Sequence, residues 1–418
     1  MDRLIIKGKA DLKGFIKIKG SKNSALPIMV SALLTKSLLK LKNLPKLDDI
    51  DNMSKLLRSY GANIKSKKDN LEIKCNNITN RDADYDIVRK MRASILILGP
   101  LLARFGKARI SLPGGCAIGT RPIDIHLDGL QKLGANFVIK NGFVLGKVNS
   151  LLKGNYIKLS FPSVGATENI LTASVLAEGE TVIDNAAKEP EIIDLASCLK
   201  SMGAKITGEG TKKIQIEGVK DLYKCSHEIM SDRIVAGTFI ILAVILNKDF
   251  EIKEINTGHL KSLTDILIKM GANLTITDNS IKIMKSESLN SANIETAPFP
   301  GFPTDLQAQL MTLMCLVNGE SQIKEKIFEN RFMHVAELNR LGANIKVNKD
   351  TAFIQGNRKF KGAQVMASDL RASVSLLLGG LYAEGETTIN RVYHLDRGYE
   401  KIEEILIKCG CIIKRKKY

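Results

Sequence analysis

The amino-acid sequence predicts an α/β (α+β) protein of two domains, each made of three βαβαββ repeats around buried, parallel helices. Three observations carry this. A short phrase occurs six times, as LRSYGANI (57–64), LQKLGANF (130–137), LKSMGAKI (199–206), LIKMGANL (267–274), LNRLGANI (338–345) and LIKCGCII (406–413). Its glycines, Gly61, Gly134, Gly203, Gly271, Gly342 and Gly410, are 68 to 73 residues apart, so one supersecondary unit is used six times. Ahead of each phrase lies a long apolar segment almost free of charge, and 418 residues exceed the ~250–300 that one core supports.

The elements of a repeat follow in order. A polar stretch comes first. The apolar segments are 24–34, 91–103, 165–177, 231–246, 302–317 and 369–383, and their length and composition predict buried helices. A turn follows, such as AEGET at 177–181 and again at 383–387, then a strand such as TVI or TTI. A second, amphipathic helix ends at the repeated phrase, where glycine takes the left-handed position after a helix C-terminus. Two alternating strands close the unit, as in NIKVNKDTAFIQ at 344–355.

Three repeats per domain place the boundary near residue 230. The expected division is 21–230 for the first domain and 1–20 plus 231–418 for the second, because the strand LIIKG (4–8) precedes the first polar-plus-helix element. A cleft between two domains is the default ligand site.

Composition narrows the function classes. The longest apolar runs, ILILGPLLA and FIILAVIL, fall well short of the ~18–20 residues of a membrane span. Seven scattered cysteines without CxxC or Cys/His spacing argue against disulfides and structural zinc and for a reduced, cytoplasmic protein with no metal. The formal net charge of +18 suits either a solvated lysine-rich surface or a partner bearing phosphate or carboxylate. No basic platform interleaved with aromatics suggests nucleic acid.

Overlaying the starts of the six buried helices aligns polar residues. They are Lys22 and Asn23; Arg89, Lys90 and Arg92; Ser163, Gly165, Thr167 and Glu168; Asp232 and Arg233; Asp305; and Asp369 and Arg371. Helix N-termini present unpaired N–H groups and partial positive charge, so parallel helices would gather an anion site there. Any one of these residues alone is equally a helix cap. A second feature is the loop SLPGGCAIGTRPIDIHL (111–127), too rich in Gly and Pro for regular structure. Cys116 lies among its glycines with Arg121 nearby, and a nearby cation favours the thiolate. The other six cysteines read as small buried hydrophobes. Arg121, Asp124 and His126 are candidates to grip a ligand, with a structural role the alternative for His126.

The segments PGGCAIGTRPIDIHL, GSKNSALP (20–27), VRKMRAS (88–94), FPSVGATENI (161–170), PGFPTDLQAQ (300–309), FENRFMH (328–334), DLRAS (369–373) and HLDRGYEKIE (394–403) resemble the UDP-N-acetylglucosamine enolpyruvyl transferases over the full length. The resemblance implies the enolpyruvyl transferase inside-out barrel, two domains closing around substrates, and the first committed step of peptidoglycan synthesis. The substrates it implies are small molecules, phosphoenolpyruvate and UDP-N-acetylglucosamine. No cofactor, nucleic acid or membrane partner is implied, and a monomer is expected.

Site residues follow from the same resemblance. Lys22, Arg121 and Arg397 would hold the anionic donor, with Asn23 and Arg92 close by. Asp305 would bind the sugar 3′-hydroxyl and act as its base. Cys116 would give a proton to the enol carbon, form an adduct with the donor, and be alkylated by the phosphonate epoxide fosfomycin. Asp369 and Arg371 would support the reacting centre. The sugar nucleotide would touch Arg121, Pro122, Ile123, Asp124 and Ile125, then Ser163, Val164 and Gly165, then Asp305 and Ile327. Phe161 stands where some members carry Lys, which leaves backbone N–H groups of Ser163, Val164 and Gly165 to serve. Two other readings compete: a 3-phosphoshikimate enolpyruvyl transferase, against which the PGGC loop argues, and a non-catalytic repeat scaffold that binds polyanions.

Overall fold

In the computed structural model the described residues are 2–78, Val88, 91–112 and 123–417. Cys116, Arg121 and Pro122 lie outside them, as do Arg89 and Lys90. The described residues form two compact units, one from Gly20 to Met230 and one combining residues up to Lys19 with those from Ser231 onward.

The predicted βαβαββ repeat is clearest at 156–217. There the strand Glu180–Asp184 lies parallel to Tyr156–Lys158 and antiparallel to Lys213–Glu217, which pairs with Lys205–Thr207. Ile183 faces Ile157 on one side and Ile214 on the other, all buried, so the alternating pattern fixes the register. The first repeat borrows its opening strand: Leu38–Lys42 pairs in parallel with Cys225–Glu228. In the other unit Phe15–Lys17 opens the sheet of Phe250–Lys253. Arg3–Lys7 lies between Glu386–Asn390 and Ile413–Lys416, antiparallel to both.

In the first unit the helices are α1 (Lys22–Ser31), α2 (Asp48–Ser59), α3 (Leu98–Phe105), α4 (Asp124–Lys132), α5 (Val164–Ser174) and α6 (Pro190–Ser201). Helices α1, α3 and α5 are buried on all sides, with Ile28, Met29, Leu98, Leu101, Ile170 and Leu171 in the core. A 3-10 turn, Arg92–Ile97, precedes α3, so the segment expected to start a helix at 91 is α-helical only from Leu98. A Cβ at Gly99 would stand 2.4 Å from the Asn169 carbonyl oxygen, so glycine lets α3 lie against α5. Helices α2, α4 and α6 bury one stripe only; α6 buries Ile192, Leu195 and Leu199 and exposes Ile193.

In the second unit they are α7 (Arg233–Leu246), α8 (Lys261–Lys269), α9 (Gln307–Met314), α10 (Val335–Arg340), α11 (Leu370–Tyr382), α12 (Tyr393–Asp396) and α13 (Ile402–Lys408). Helices α7, α9 and α11 pack on one another at the centre. A 3-10 turn, Thr304–Leu306, precedes α9.

All six phrase glycines have φ between +93° and +109°, as a left-handed position after a helix requires. The following residue donates back into the last turn in five copies: Ala62 to Leu57, Ala204 to Leu199, Ala272 to Leu267, Ala343 to Leu338 and Cys411 to Leu406, at 2.9–3.2 Å. This satisfies carbonyls that a helix end otherwise leaves open. Among the described residues no helix is long and apolar enough to cross a membrane.

Candidate active site

In the second unit polar groups collect at the N-terminal ends of the buried helices. Asp232 caps α7 by accepting from the backbone N–H of Ile234 and Val235 at 2.9 and 3.0 Å. Asp369 caps α11 in the same way, from Arg371 and Ala372 at 2.8 and 3.1 Å. Asp305 stands in the 3-10 turn before α9 and accepts from two guanidiniums. Arg331 Nη2 lies 2.7 Å from Oδ1 and Arg371 Nη2 lies 2.7 Å from Oδ2. Both arginine side chains are almost buried, at 5% and 8% exposure, whereas Asp305 keeps 27%. Burial opposes the charge of Arg371, but the neighbouring Asp305 carboxylate outweighs it and holds the guanidinium above its ordinary value.

This cluster is braced from below. Arg371 Nη1 donates to the Tyr399 hydroxyl at 3.4 Å, which lies 2.8 Å from Thr238 Oγ1 on α7. Gln309 Nε2 on α9 donates to Thr238 Oγ1 and to the Asp305 carbonyl. Glu325 braces the other side. Its Oε2 accepts from Thr304 Oγ1 at 2.9 Å, next to Asp305. Its Oε1 accepts from Thr296 Oγ1 and from the backbone N–H of Ile327 at 2.8 Å each, and from Phe328 N–H at 3.2 Å. One buried carboxylate thus orients both the Asp305 turn and the Ile327 turn. Arg397 follows α12, half-buried; after burial itself, its charge is what most lowers the basicity of His394.

In the first unit Lys22 and Asn23 open α1, which Ser21 caps. Lys22 Nζ lies 3.2 Å from Asp49 Oδ2, and both side chains are largely buried. Asp49 sits in the first turn of α2, where a carboxylate suits the helix dipole. Arg92 is half-buried at the start of its 3-10 turn. Ser163 caps α5 by accepting from Ala166 N–H at 3.3 Å, and Val164 and Gly165 follow, half-buried. Ile123 is buried, Ile125 half-buried and Asp124 exposed at the start of α4. Beside Ile125 an open groove of about 390 Å³ runs between α4 and the strand Tyr156–Lys158, lined also by Asp128, Lys132, Lys158 and Ser160.

His126 is a packing residue here. The Asn169 amide is oriented by accepting from Gly99 N–H at 2.7 Å and donating to the Ile95 carbonyl at 3.0 Å. The same Nδ2 lies 3.2 Å from His126 Nδ1, which assigns the ring proton to Nε2. Burial, reinforced by the charge of Arg92, pulls His126 down to about 4, so the ring is neutral. Glu168 on α5 is also buried, and burial pushes it well above the usual carboxylate range, with Glu191 and Glu189 adding to the effect.

Arg331, Glu325, Tyr399 and Asp49 are absent from the residues expected from the sequence. Arg331 lies within the FENRFMH motif and Tyr399 within HLDRGYEKIE, so the signal was in the quoted segments; Glu325 and Asp49 carry none.

A fold of this kind, with polar groups at the ends of its buried helices, has counterparts among the enolpyruvyl transferases. The structure is similar to the enolpyruvyl transferase NikO from Streptomyces tendae, with TM-score 0.91 and 24% identity over 100% of this chain and 99% of that one. It also resembles EPSP synthase from Acinetobacter baumannii, with TM-score 0.78 and 20% identity over the whole of both chains. A family model for EPSP synthase (3-phosphoshikimate 1-carboxyvinyltransferase) matches residues 6–406. Two relatives named UDP-N-acetylglucosamine 1-carboxyvinyltransferase are much nearer in sequence. That of Paramagnetospirillum magneticum is 49% identical over 100% of this chain and 99% of its own. That of Pelagibacter ubique is 50% identical over 99% of this chain and 100% of its own. The chain belongs to the EPSP synthase family and, within it, to the UDP-N-acetylglucosamine 1-carboxyvinyltransferases.

Proposed function

We propose that the protein transfers the enolpyruvyl group of phosphoenolpyruvate to the 3′-hydroxyl of UDP-N-acetylglucosamine and releases phosphate. The observation that carries this is the identity of about half of all positions, end to end, with relatives that bear that enzyme's name. The reaction places the chain at the entry to peptidoglycan synthesis, in the cytoplasm, where both substrates are found.

The chemistry proceeds by addition and elimination. Protonation at C3 of the donor makes C2 an oxocarbenium-like electrophile. The sugar hydroxyl attacks C2 as its proton leaves, giving a tetrahedral phospho-ketal, and loss of phosphate from C2 together with a proton from the C3 methyl restores the double bond. Cys116 supplies the proton to C3. Lys22, Arg121 and Arg397 hold the phosphate and carboxylate, arginine by paired contacts and lysine as a point charge. Asn23 and Arg92 assist them. Asp305 receives the hydroxyl proton. A proton on Asp305 weakens its ion pairs with Arg331 and Arg371, so the two arginines favour its rapid return to the ionised form. Arg371 holds the Asp305 carboxylate, and Asp369 caps the helix that presents Arg371. Backbone N–H groups of Ser163, Val164 and Gly165 at the start of α5, with Pro122, Ile123, Asp124, Ile125 and Ile327, contact the sugar nucleotide.

The test is inorganic phosphate release from phosphoenolpyruvate with UDP-N-acetylglucosamine, beside shikimate 3-phosphate and a no-acceptor control. Release with the sugar nucleotide alone is expected; release with shikimate 3-phosphate alone overturns the reading. After incubation with fosfomycin and sugar nucleotide, mass spectrometry is expected to show the adduct on Cys116.

A further inference from the structure

Five of the described cysteines, Cys75, Cys198, Cys315, Cys409 and Cys411, are the buried hydrophobes expected from the sequence, but Cys225 is half-buried and reachable from solvent. It opens the strand Cys225–Glu228, and Cys198 faces it from α6. The Cys225 thiol donates to the Cys198 carbonyl oxygen at 4.0 Å, which sets the two cysteines side by side. His227 is two residues along the strand, its Nε2 2.9 Å from Asp194 Oδ1 on α6.

The pair is polarised. The adjacent Cys198 side chain lowers Cys225 to about 7 against the opposing effect of burial, and the charge of His227 assists. The Cys225 side chain, with burial, raises Cys198 well above the ordinary thiol value. By contrast, burial pushes Cys75, Cys315 and Cys411 up to about 12 and also raises Cys409. A partly exposed cysteine packed beside a second one is the arrangement of a redox-sensing pair.

We propose that Cys198 and Cys225 form a peroxide-sensitive dithiol that closes to an intramolecular disulfide. The Cys225 thiolate attacks the terminal oxygen of a hydroperoxide; the S–O bond forms, the O–O bond breaks and an alcohol leaves (water, for hydrogen peroxide). Cys198 sulfur then attacks Cys225 sulfur; the S–S bond forms, the S–O bond breaks, and the hydroxyl leaves as water with the Cys198 proton. Two thiols and one hydroperoxide give one disulfide, one alcohol and one water. The two electrons come from sulfur. Cys225 is the attacking residue and Cys198 the resolving one. This site is independent of the transferase reading.

The experiment treats the reduced, full-length protein with hydrogen peroxide and maps tryptic peptides without reductant. Peptides 189–200 and 225–233 carry the two cysteines, and Cys116 falls in a different peptide. The expected result is a linked species of these two peptides, two hydrogens lighter than their sum and abolished by dithiothreitol. In Cys198→Ser, which lacks the resolving thiol, dimedone should label Cys225 as a sulfenic acid. Recovery of both peptides unlinked and alkylatable overturns the proposal. So does a disulfide from Cys225 to any other cysteine, or a Cys198→Ser protein whose Cys225 takes no dimedone.

Discussion

Arg331 and Asp305 form an ion pair 2.7 Å long in which the arginine is almost entirely buried and the carboxylate is not. The exposed part of the pair is the part proposed to do chemistry. The arginine holds it in one orientation, and Arg371 holds the other oxygen.

Arg331→Ala is expected to lower kcat in the phosphate-release assay by about 10- to 100-fold, since a hydrogen bond to a charged group contributes about 1.5–3 kcal/mol. Arg331→Lys should recover part of this, because lysine restores the charge but not the fixed fork of donors. Wild-type kcat in the alanine variant would remove Arg331 from the site.

Glu325→Gln tests the brace. An amide cannot accept from Thr296, Thr304, Ile327 and Phe328 together, as the carboxylate does. The turns carrying Asp305 and Ile327 should loosen, raising KM for the sugar nucleotide and lowering kcat. Urea unfolding should show a loss of about 1–3 kcal/mol. Unchanged KM and kcat in a destabilised protein would reduce Glu325 to a scaffold residue.

His126 sets an acid limit on stability. Its folded value near 4 lies below its ordinary 6.5, so the unfolded chain binds a proton that the folded one refuses. The stabilisation is complete above 6.5 and is lost as pH falls through the window down to 4, with a slope of about 1.4 kcal/mol per pH unit. His126→Gln keeps an acceptor for Asn169 and cannot titrate. Its stability should fall less steeply than the wild type's across that window in denaturant titrations.

Glu168 acts with the opposite sign. Its folded value is raised, so its contribution is full below the ordinary 4.5 and is lost as pH rises from there toward the folded value. Glu168→Gln removes that loss. Relative to wild type, the variant should gain stability with rising pH above 4.5, by up to about 1.4 kcal/mol per unit. Parallel stability curves for the two proteins would contradict the assignment.

The sixfold phrase makes the repeat and its left-handed glycines legible, because a helix end must reverse within one or two residues and only glycine does so without strain. Which strand completes which sheet is not legible. Cys225–Glu228 joins Leu38–Lys42 across 182 intervening residues, and no local pattern encodes a partner that distant. The site divides in the same way. Asp305, Asp369 and Arg371 stand at helix starts, where periodicity exposes them. Arg331 and Glu325 act through distances to groups far off in the chain, and a buried glutamate in a strand-following turn looks like any surface acid until its four donors are seen. The helices predicted from 91 and 302 begin later in the structure, since a 3-10 turn and an α-turn share the same apolar composition.

The strand Arg3–Lys7 has a consequence for biosynthesis. It leaves the ribosome long before one of its neighbours, Ile413–Lys416. At roughly 5–20 residues per second, translation keeps it waiting on the order of 20–80 s. Throughout that interval Leu4 and Ile6, fully buried in the finished protein, have no sheet to enter. The unit from Gly20 to Met230 emerges whole in the meantime, so this strand waits out the synthesis of the other unit before its own sheet can form.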